Sequence, residues 1–323
     1  MKLLSTARFL PERELSNDEL RARFGREQID KWEKATGILR RFRAPREWAT
    51  SDLALPAARQ ALQRAGLGAG EVDLLVMATD TPDHLTPATS TVLQHKLGAV
   101  KAGTFDVGCA CASFPTSIAL ASSLMATQPW VRNALVVGAY LMSKLAADDD
   151  PAQFFYGDGS SAVVLQASAE PGLISSALRA DGSHAGRWGV FAGGTAEPAS
   201  VAAVQAGRTN VRLHEAYPAE VNDDGWPLLV QQLCERGRFD LEDLELIFFT
   251  QVRGPTIDGV MRRLGLPVSR APKVMDRFGY TGSACIGMAL DDALERGVAR
   301  PGQLVALVGS GVGFNQAAVA MRL

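Results

Sequence analysis

Cys109 and Cys111 lie in the run Thr104-Phe105-Asp106-Val107-Gly108-Cys109-Ala110-Cys111-Ala112-Ser113-Phe114, where an apolar, strand-like stretch turns into a helix of small residues. A thiol at a helix N-terminus faces unpaired backbone N–H groups and the positive end of the helix dipole, which favour the thiolate and stabilise an oxyanion forming beside it. A nucleophile needs such a setting. Cysteines are also among the residues most often buried for packing alone, and Cys109 reads as an inert packing thiol. Strand-turn-helix context by itself leaves Cys111 open to both readings.

The other reactive side chains narrow the chemistry. Cys109 and Cys111 are too close in sequence for a zinc pair, and none of His84, His95, His184 and His214 pairs at ligand spacing, so no metal is expected. The basic run Arg40-Arg41-Phe42-Arg43 with Arg46 reads as a solvated face, or as an anchor for a phosphate-bearing ligand or acidic partner. Gly309-Ser310-Gly311-Val312-Gly313 passes from one strand pattern into another, not into a helix, so it is a tight turn and not a dinucleotide-binding loop. Gly157-Asp158-Gly159 is a turn entering a strand, and no Gly-x-Ser-x-Gly elbow is present.

The elements that must position Cys111 alternate along the chain. Apolar, β-rich runs at Leu74–Ala78, 134–140, 162–167, 246–250, 304–308 and 317–323 are separated by helical patterns such as 57–65 and 228–236, which predicts an α/β fold with buried strands. The order repeats. Ala61-Leu62-Gln63-Arg64-Ala65-Gly66 followed by Glu71-Val72-Asp73-Leu74-Leu75-Val76 has a counterpart in Gln232-Leu233-Cys234-Glu235-Arg236-Gly237 followed by Leu241-Glu242-Asp243-Leu244-Glu245-Leu246-Ile247. Likewise the Cys111 segment leads to the strand at Ala134, as residues 274–294 lead to the strand at Leu304. Two halves are therefore expected, 1–169 with the nucleophile and 170–323, divided near Pro171-Gly172. The helix after Cys111 is small-residued almost all round, as a helix enclosed between layers requires.

With 323 residues, 47% hydrophobic and 21% charged, and a net charge of -2, the chain is globular and carries no charge excess that would suit nucleic acid. Four cysteines suggest no disulfide framework, and the polar Ser5, Thr6 and Arg8 rule out a secretory signal, so a cytoplasmic protein is expected. Apolar runs such as 134–142 are too short to span a bilayer.

Together these segments resemble the thiolase superfamily, in its ketoacyl-acyl carrier protein synthase III branch. The resemblance runs from Phe9-Leu10-Pro11-Glu12 and Ser16-Asn17-Asp18-Glu19-Leu20 through Trp32, Thr36-Gly37-Ile38, Ala78-Thr79 and Thr81-Pro82-Asp83. It continues in Phe105-Asp106-Val107, Cys111-Ala112, Leu135-Val136-Val137-Gly138, Tyr156-Gly157-Asp158-Gly159-Ser160 and Asp181-Gly182-Ser183. It closes in Pro301-Gly302-Gln303-Leu304-Val305 and Gly313-Phe314. It implies a duplicated five-layer αβαβα fold with two pseudo-two-fold-related halves. It implies that Cys111 accepts an acyl group from coenzyme A or a carrier protein, with the N–H groups of Cys111 and Val312 as oxyanion hole. The thioester of coenzyme A or phosphopantetheine is then a substrate, and no cofactor is bound permanently. The resemblance further implies a homodimer, with a heterodimer as the alternative, in which His84, Leu85, Thr86 and Pro87 reach the neighbour's acyl pocket. Trp32 falls on an aromatic that stacks on adenine, although the usual arginine before Gly37 is absent. Pro255 stands where a carrier-binding arginine is usual, which leaves Arg253, Arg262 and Arg263 as contacts for a phosphate or acidic carrier.

Two positions depart from the family pattern. Where a His-Gln pair is usual, the chain has Thr250-Gln251; where a Gly-Asn-Thr turn is usual, it has Gly279-Tyr280-Thr281. Both groups that would polarise a malonyl thioester during decarboxylation are missing, and general acid–base help of that kind is commonly worth about 10²–10⁴ in rate. The expected function is a Cys-dependent acyltransferase of the synthase III type in specialised acyl, polyketide or lipid biosynthesis. In it Thr250 and Tyr280 would orient an acceptor by hydrogen bonds. The alternatives are a decarboxylative condensing enzyme with its base moved to His84 or Asp83, and a non-catalytic partner subunit of a synthase heterodimer.

Overall fold

The strand Leu74–Ala78 is apolar and buried at every position, which a strand sustains only when its sheet is covered on both faces. Its side chains alternate between two cores: Leu74, Val76 and Ala78 pack into one, Leu75 and Met77 into the other. Leu246–Phe249 does the same, with Leu246 and Phe248 on the inner side and Ile247 and Phe249 on the outer.

A computed structural model, which describes residues 1–323, sets these strands in two separate sheets. The first has five strands in the order Lys2–Phe9, Gly159–Gln166, Asn133–Tyr140, Leu74–Ala78, Gly103–Val107. The second has four, in the order Leu173–Ala180, Asn315–Arg322, Leu304–Gly311, Leu246–Phe249. Both sheets are antiparallel through their first three strands and parallel beyond. The second matches the first without its last edge strand, since residues 271–274 form none.

The helices Ser113–Thr127 and Cys285–Glu295 lie between the sheets and touch strands of both. Close approach is required here: a Cβ at Gly287 would stand 2.6 Å from the Phe114 ring and 2.4 Å from Ser161 Oγ. Thr50–Ala65 and Thr89–Leu97 cover the outer face of the first sheet, and Gly225–Gly237 covers that of the second. The layers therefore run αβαβα. The turns before the two central helices match residue for residue. Cys109 (φ -108, ψ 31) corresponds to Thr281 (φ -108, ψ 32), and the left-handed Ala110 (φ 48) to Gly282 (φ 45).

Several elements differ from the reading of the sequence. The strand-like stretch before Cys111 is the strand Gly103–Val107, whereas two edge strands were not among the strand-like runs: Lys2–Phe9 and Leu173–Ala180. Only a few of their positions are buried, so their apolar patterns are weak. The helical stretch expected at 57–65 spans Thr50–Ala65 and tolerates Pro56. Residues 274–294, which do lead to the strand at Leu304, comprise Met275–Phe278, a tight turn and Cys285–Glu295. The helix Ser113–Thr127 is not enclosed all round: Leu120 is 42% exposed, with Ser123 and Thr127 on the same open stripe. The longest apolar helical stretch is Ala110–Thr127, long and apolar enough to cross a membrane but 67% buried inside the fold.

The basic run is not a solvated face. Arg41, in the strand Arg40–Arg43, is fully buried, with its guanidinium 4.7 Å from the Phe154 ring centroid and its Nη1 donating to Asn17 Oδ1 at 2.6 Å. Burial lowers its pKa to about 9, with Arg43 pushing the same way. Its side chain backs the turn at Gly279, where a Cβ would meet Arg41 Cβ at 2.7 Å. The arginine thus ties the paired strands Arg13–Ser16 and Arg40–Arg43 to the turn that leads to Tyr280.

Candidate active site

Cys111 sits in the tight turn Ala110–Ala112, which joins the strand Gly103–Val107 to the helix Ser113–Thr127. Ala110 makes the reversal in a left-handed conformation that side chains other than glycine adopt at a cost of about 1–3 kcal/mol, a strain that concentrates at functional sites. From the other half, the strand Leu304–Gly311 runs directly against this turn. A Cβ at Gly309 would lie 2.9 Å from Cys111 O and 3.0 Å from Ala112 Cα; one at Gly311 would lie 2.1 Å from Cys109 O. Only glycines allow that contact. Beyond it the loop turns at Val312 into Asn315–Arg322, the hairpin expected of the Gly-rich run. The Val312 amide makes no backbone hydrogen bond, and the Cys111 amide lies at its own thiol.

The thiol of Cys111 and the hydroxyl of Tyr280 are hydrogen-bonded to each other. Tyr280 comes from the Gly279-Tyr280-Thr281 turn, anchored where the Gly157 amide donates to Tyr280 O at 2.8 Å. Its ring lies 5.9 Å from that of Tyr140. Burial pushes the Cys111 thiol well above its ordinary range; Asp80 and Cys285 push it further, while the Tyr280 hydroxyl and the residue's own amide pull it down. The thiolate-favouring setting expected of a helix start is therefore outweighed: the sulfur lies one turn ahead of the helix, out of water and facing a carboxylate. Burial likewise raises Tyr280 and Tyr140, and pushes Cys285 to about 12.

Thr250 follows the strand Leu246–Phe249 and is 2% exposed. Its Oγ1 accepts the Ser310 amide at 3.0 Å and bonds neither Cys111 nor Tyr280. Gln251 is structural, with Oε1 accepting the Val274 amide at 2.8 Å and Nε2 donating to Phe249 O at 2.9 Å. Thr250 thus steadies the glycine strand that presses on the cysteine turn. Cys109 is half-buried and burial raises it too, as suits a packing thiol.

The remaining residues singled out in the sequence lie away from this cluster. Trp32 is half-buried on the helix Arg26–Thr36, its ring 5.0 Å from Phe155 and 5.6 Å from Phe154. That helix packs on Gly254–Arg263. All three arginines are exposed, and Arg263 is paired with Asp224. His84 and Leu85 stand on an exposed loop, Leu85 at 81%. Asp83 is no free base: Oδ1 accepts the Ser51 amide at 2.9 Å and Oδ2 the Ser51 hydroxyl at 2.6 Å.

One group was missed in the sequence. Asp80 has Oδ1 buried and without a hydrogen-bond partner, and burial drives its pKa up to about 6 against the pull of its own amide and the Ser283 hydroxyl. A signal for it exists, an acidic residue just past the C-terminal end of an all-apolar parallel strand, where α/β folds place their chemistry.

Comparison with known proteins agrees with this architecture. Residues 105–182 match the family model described as 3-oxoacyl-[acyl-carrier-protein] synthase III, and residues 234–323 that of its C-terminal part. The chain is 34% identical over 320 residues to a beta-ketoacyl-[acyl-carrier-protein] synthase III of Bordetella petrii, covering 98% of this chain and 95% of the relative. Among solved structures, the 3-oxoacyl-(acyl carrier protein) synthase III of Pseudomonas aeruginosa superposes with a TM-score of 0.88 at 30% identity, covering 99% of this chain and 97% of that one. The Thermus thermophilus enzyme gives 0.89 at 30%, with 100% and 99% covered. A priming beta-ketosynthase of a polyketide biosynthetic pathway gives 0.90 at 26%, with 100% and 96% covered. A thiolase-like fold, a cysteine at the contact of two matched halves and near-full-length identity to such a synthase lead to one conclusion: the chain belongs to the 3-oxoacyl-[acyl-carrier-protein] synthase III family of acyl-transferring condensing enzymes.

Proposed function

We propose that the chain takes an acyl group from a coenzyme A or acyl carrier protein thioester onto Cys111 and passes it to an acceptor that is already nucleophilic. The observation that carries this reading is the buried Cys111–Tyr280 hydrogen bond where the glycine strand closes on the cysteine turn. The amides of Cys111 and Val312 would stabilise the oxyanion formed when sulfur attacks the thioester carbonyl, the contribution that is usually largest in acyl transfer. The Tyr280 hydroxyl would donate to the sulfur as its charge develops. Thr250 acts one step removed, through Ser310 and the glycine strand.

Decarboxylative condensation is the less favoured reading. The family's usual histidine and asparagine are replaced by Thr250 and Tyr280, neither of which is a base near neutral pH. The route that borrows Asp83 is closed by its bonds to Ser51. Trp32 with Arg253, Arg262 and Arg263 is proposed to receive the nucleotide end of the donor or an acidic carrier. The exposed His84–Leu85 loop is proposed to meet a second copy in a cytoplasmic homodimer.

The test is intact-protein mass spectrometry after incubation with a panel of acyl thioesters, together with a labelled malonyl thioester added to pre-acylated protein. The expected result is an acyl adduct that persists in Cys109→Ala, vanishes in Cys111→Ala and releases no carbon dioxide from malonyl donor. Adduct retained in Cys111→Ala, or brisk carbon dioxide release, would overturn the reading.

A further inference from the structure

We propose that Asp80 is the general base of this site, taking the proton from the acceptor as the acyl group leaves Cys111. The proposal rests on the acyl-Cys111 reading and adds the group that reading lacks.

Three observations carry it. The first is position. Ala78 pairs with Val107 in the parallel ladder, and the Thr79 amide donates to Val107 O at 3.3 Å, so Asp80 and Cys111 follow the C-terminal ends of adjacent parallel strands. The second is the asymmetry of the hydrogen bonding around it. Thr79 and Thr81 are both satisfied: Thr79 Oγ1 accepts the Thr81 amide at 3.1 Å, and Thr81 Oγ1 accepts the Leu141 amide at 3.0 Å. The backbone on both sides of Asp80 is pinned, yet its own Oδ1 is buried with no partner. A carboxylate oxygen in that state costs stability unless something else uses it. The third is the company it keeps. The groups that sense its charge are Cys111 and Cys285, which start the two central helical segments, and Tyr140 from the neighbouring strand; Ser283 flanks it and donates to Ala139 O at 2.8 Å. No lysine, arginine or histidine is among the groups that set its charge. An ionised carboxyl with no cation beside it and an oxygen shut off from water is a stronger base than a fully hydrated one; Asp80, half-buried as a residue but with Oδ1 out of water, is raised to about 6.

The step balances. The acceptor's N–H or O–H bond breaks and its proton goes to Asp80 Oδ1; the freed electron pair forms the new bond to the acyl carbon; the C–S bond breaks. Its electron pair stays on Cys111 sulfur, which regains the proton from Asp80. In loading, the same carboxylate takes the Cys111 proton and returns it to the departing thiolate.

Acetyl groups placed on Cys111 chemically with p-nitrophenyl acetate, with Cys111→Ala as background, allow transfer to glycinamide to be followed by mass from pH 5 to 8. The unaltered protein is expected to show a rate that rises through an inflection near pH 6. Asp80→Asn should lose the inflection and slow by about 10²-fold, within the usual range for general-base catalysis. Added formate should restore part of the rate to Asp80→Ala, which a merely structural role would not allow. An Asp80→Asn rate and profile equal to those of the unaltered protein would overturn the proposal, as would the absence of any inflection between pH 5 and 7 in the unaltered protein. Failure of formate to raise the rate of cooperatively folded Asp80→Ala would overturn it too. If the protein accepts no acyl group from any coenzyme A or carrier thioester, the acyl-transfer reading fails by itself, and the chemically loaded protein still decides the role of Asp80.

Discussion

The hydroxyl of Tyr280 and the thiol of Cys111, 169 residues apart in the chain, share a hydrogen bond at the contact between the two halves of the fold. It is a bond that one half cannot make alone, and it is the one side-chain interaction that lowers the pKa of a sulfur otherwise raised by burial. Tyr280→Phe keeps the ring packed on Tyr140 and removes only the donor. Hydrogen bonds to charged groups are worth about 1.5–3 kcal/mol, so alkylation of Cys111 by iodoacetamide at pH 8 should slow by about tenfold or more. The unfolding midpoint should move little. Unchanged alkylation would mean that Tyr280 does not support the thiolate.

Gly309 holds the second half against the cysteine turn. A methyl group there would meet two backbone atoms, Cys111 O at 2.9 Å and Ala112 Cα at 3.0 Å, and neither can move without shifting the sulfur. Overpacking of this kind costs about 1–3 kcal/mol. Gly309→Ala is therefore expected to lower stability in denaturant titration by that amount and to cut Cys111 acylation at least tenfold. Full acylation at normal stability would show that the turn is not clamped by the strand.

The pH dependence of stability should carry the mark of Asp80. Folding raises its pKa from the ordinary carboxylate value to about 6, so between roughly pH 4 and 6 the native state holds a proton that the unfolded chain does not. Stability then falls as pH rises through that window, by about 3 kcal/mol at most for a shift of this size. Asp292 runs the other way: burial would raise it, but Arg277, Arg8 and Arg296 hold it below the usual range, so its contribution is present above about pH 4 and lost as pH falls further. Asp80→Asn is expected to flatten the profile between pH 4 and 6, to gain stability at pH 7 and to leave the acid limb intact. A variant no more stable than the parent at pH 7 would contradict the raised pKa.

Much of this protein is determined by its sequence alone. Full burial of Leu74–Ala78 and Leu246–Phe249 is written in unbroken apolar runs, because a strand covered on both faces has no polar position to spare. The hairpin at Gly311-Val312-Gly313 and the turn at Cys111 are local chemistry, set by glycines and small residues whose backbone freedom is a property of each residue. The family pattern places Cys111 and Val312 because their motifs are short and contiguous. Asp80, by contrast, is marked only by its place just past an apolar strand, an ordinary position for an aspartate until the fold takes its Oδ1 out of water. Tyr280 and Cys111 meet only because two matched sheets stack on two central helices. Arg41, one of three arginines in four residues, gives no local sign that it is buried beneath Gly279. Even the state of the thiol was decided by the surroundings, since desolvation by burial outweighs what the local turn supplies. Contacts within a few residues follow from residue type; charge, burial and partnership across 169 positions depend on which surfaces the whole fold brings together.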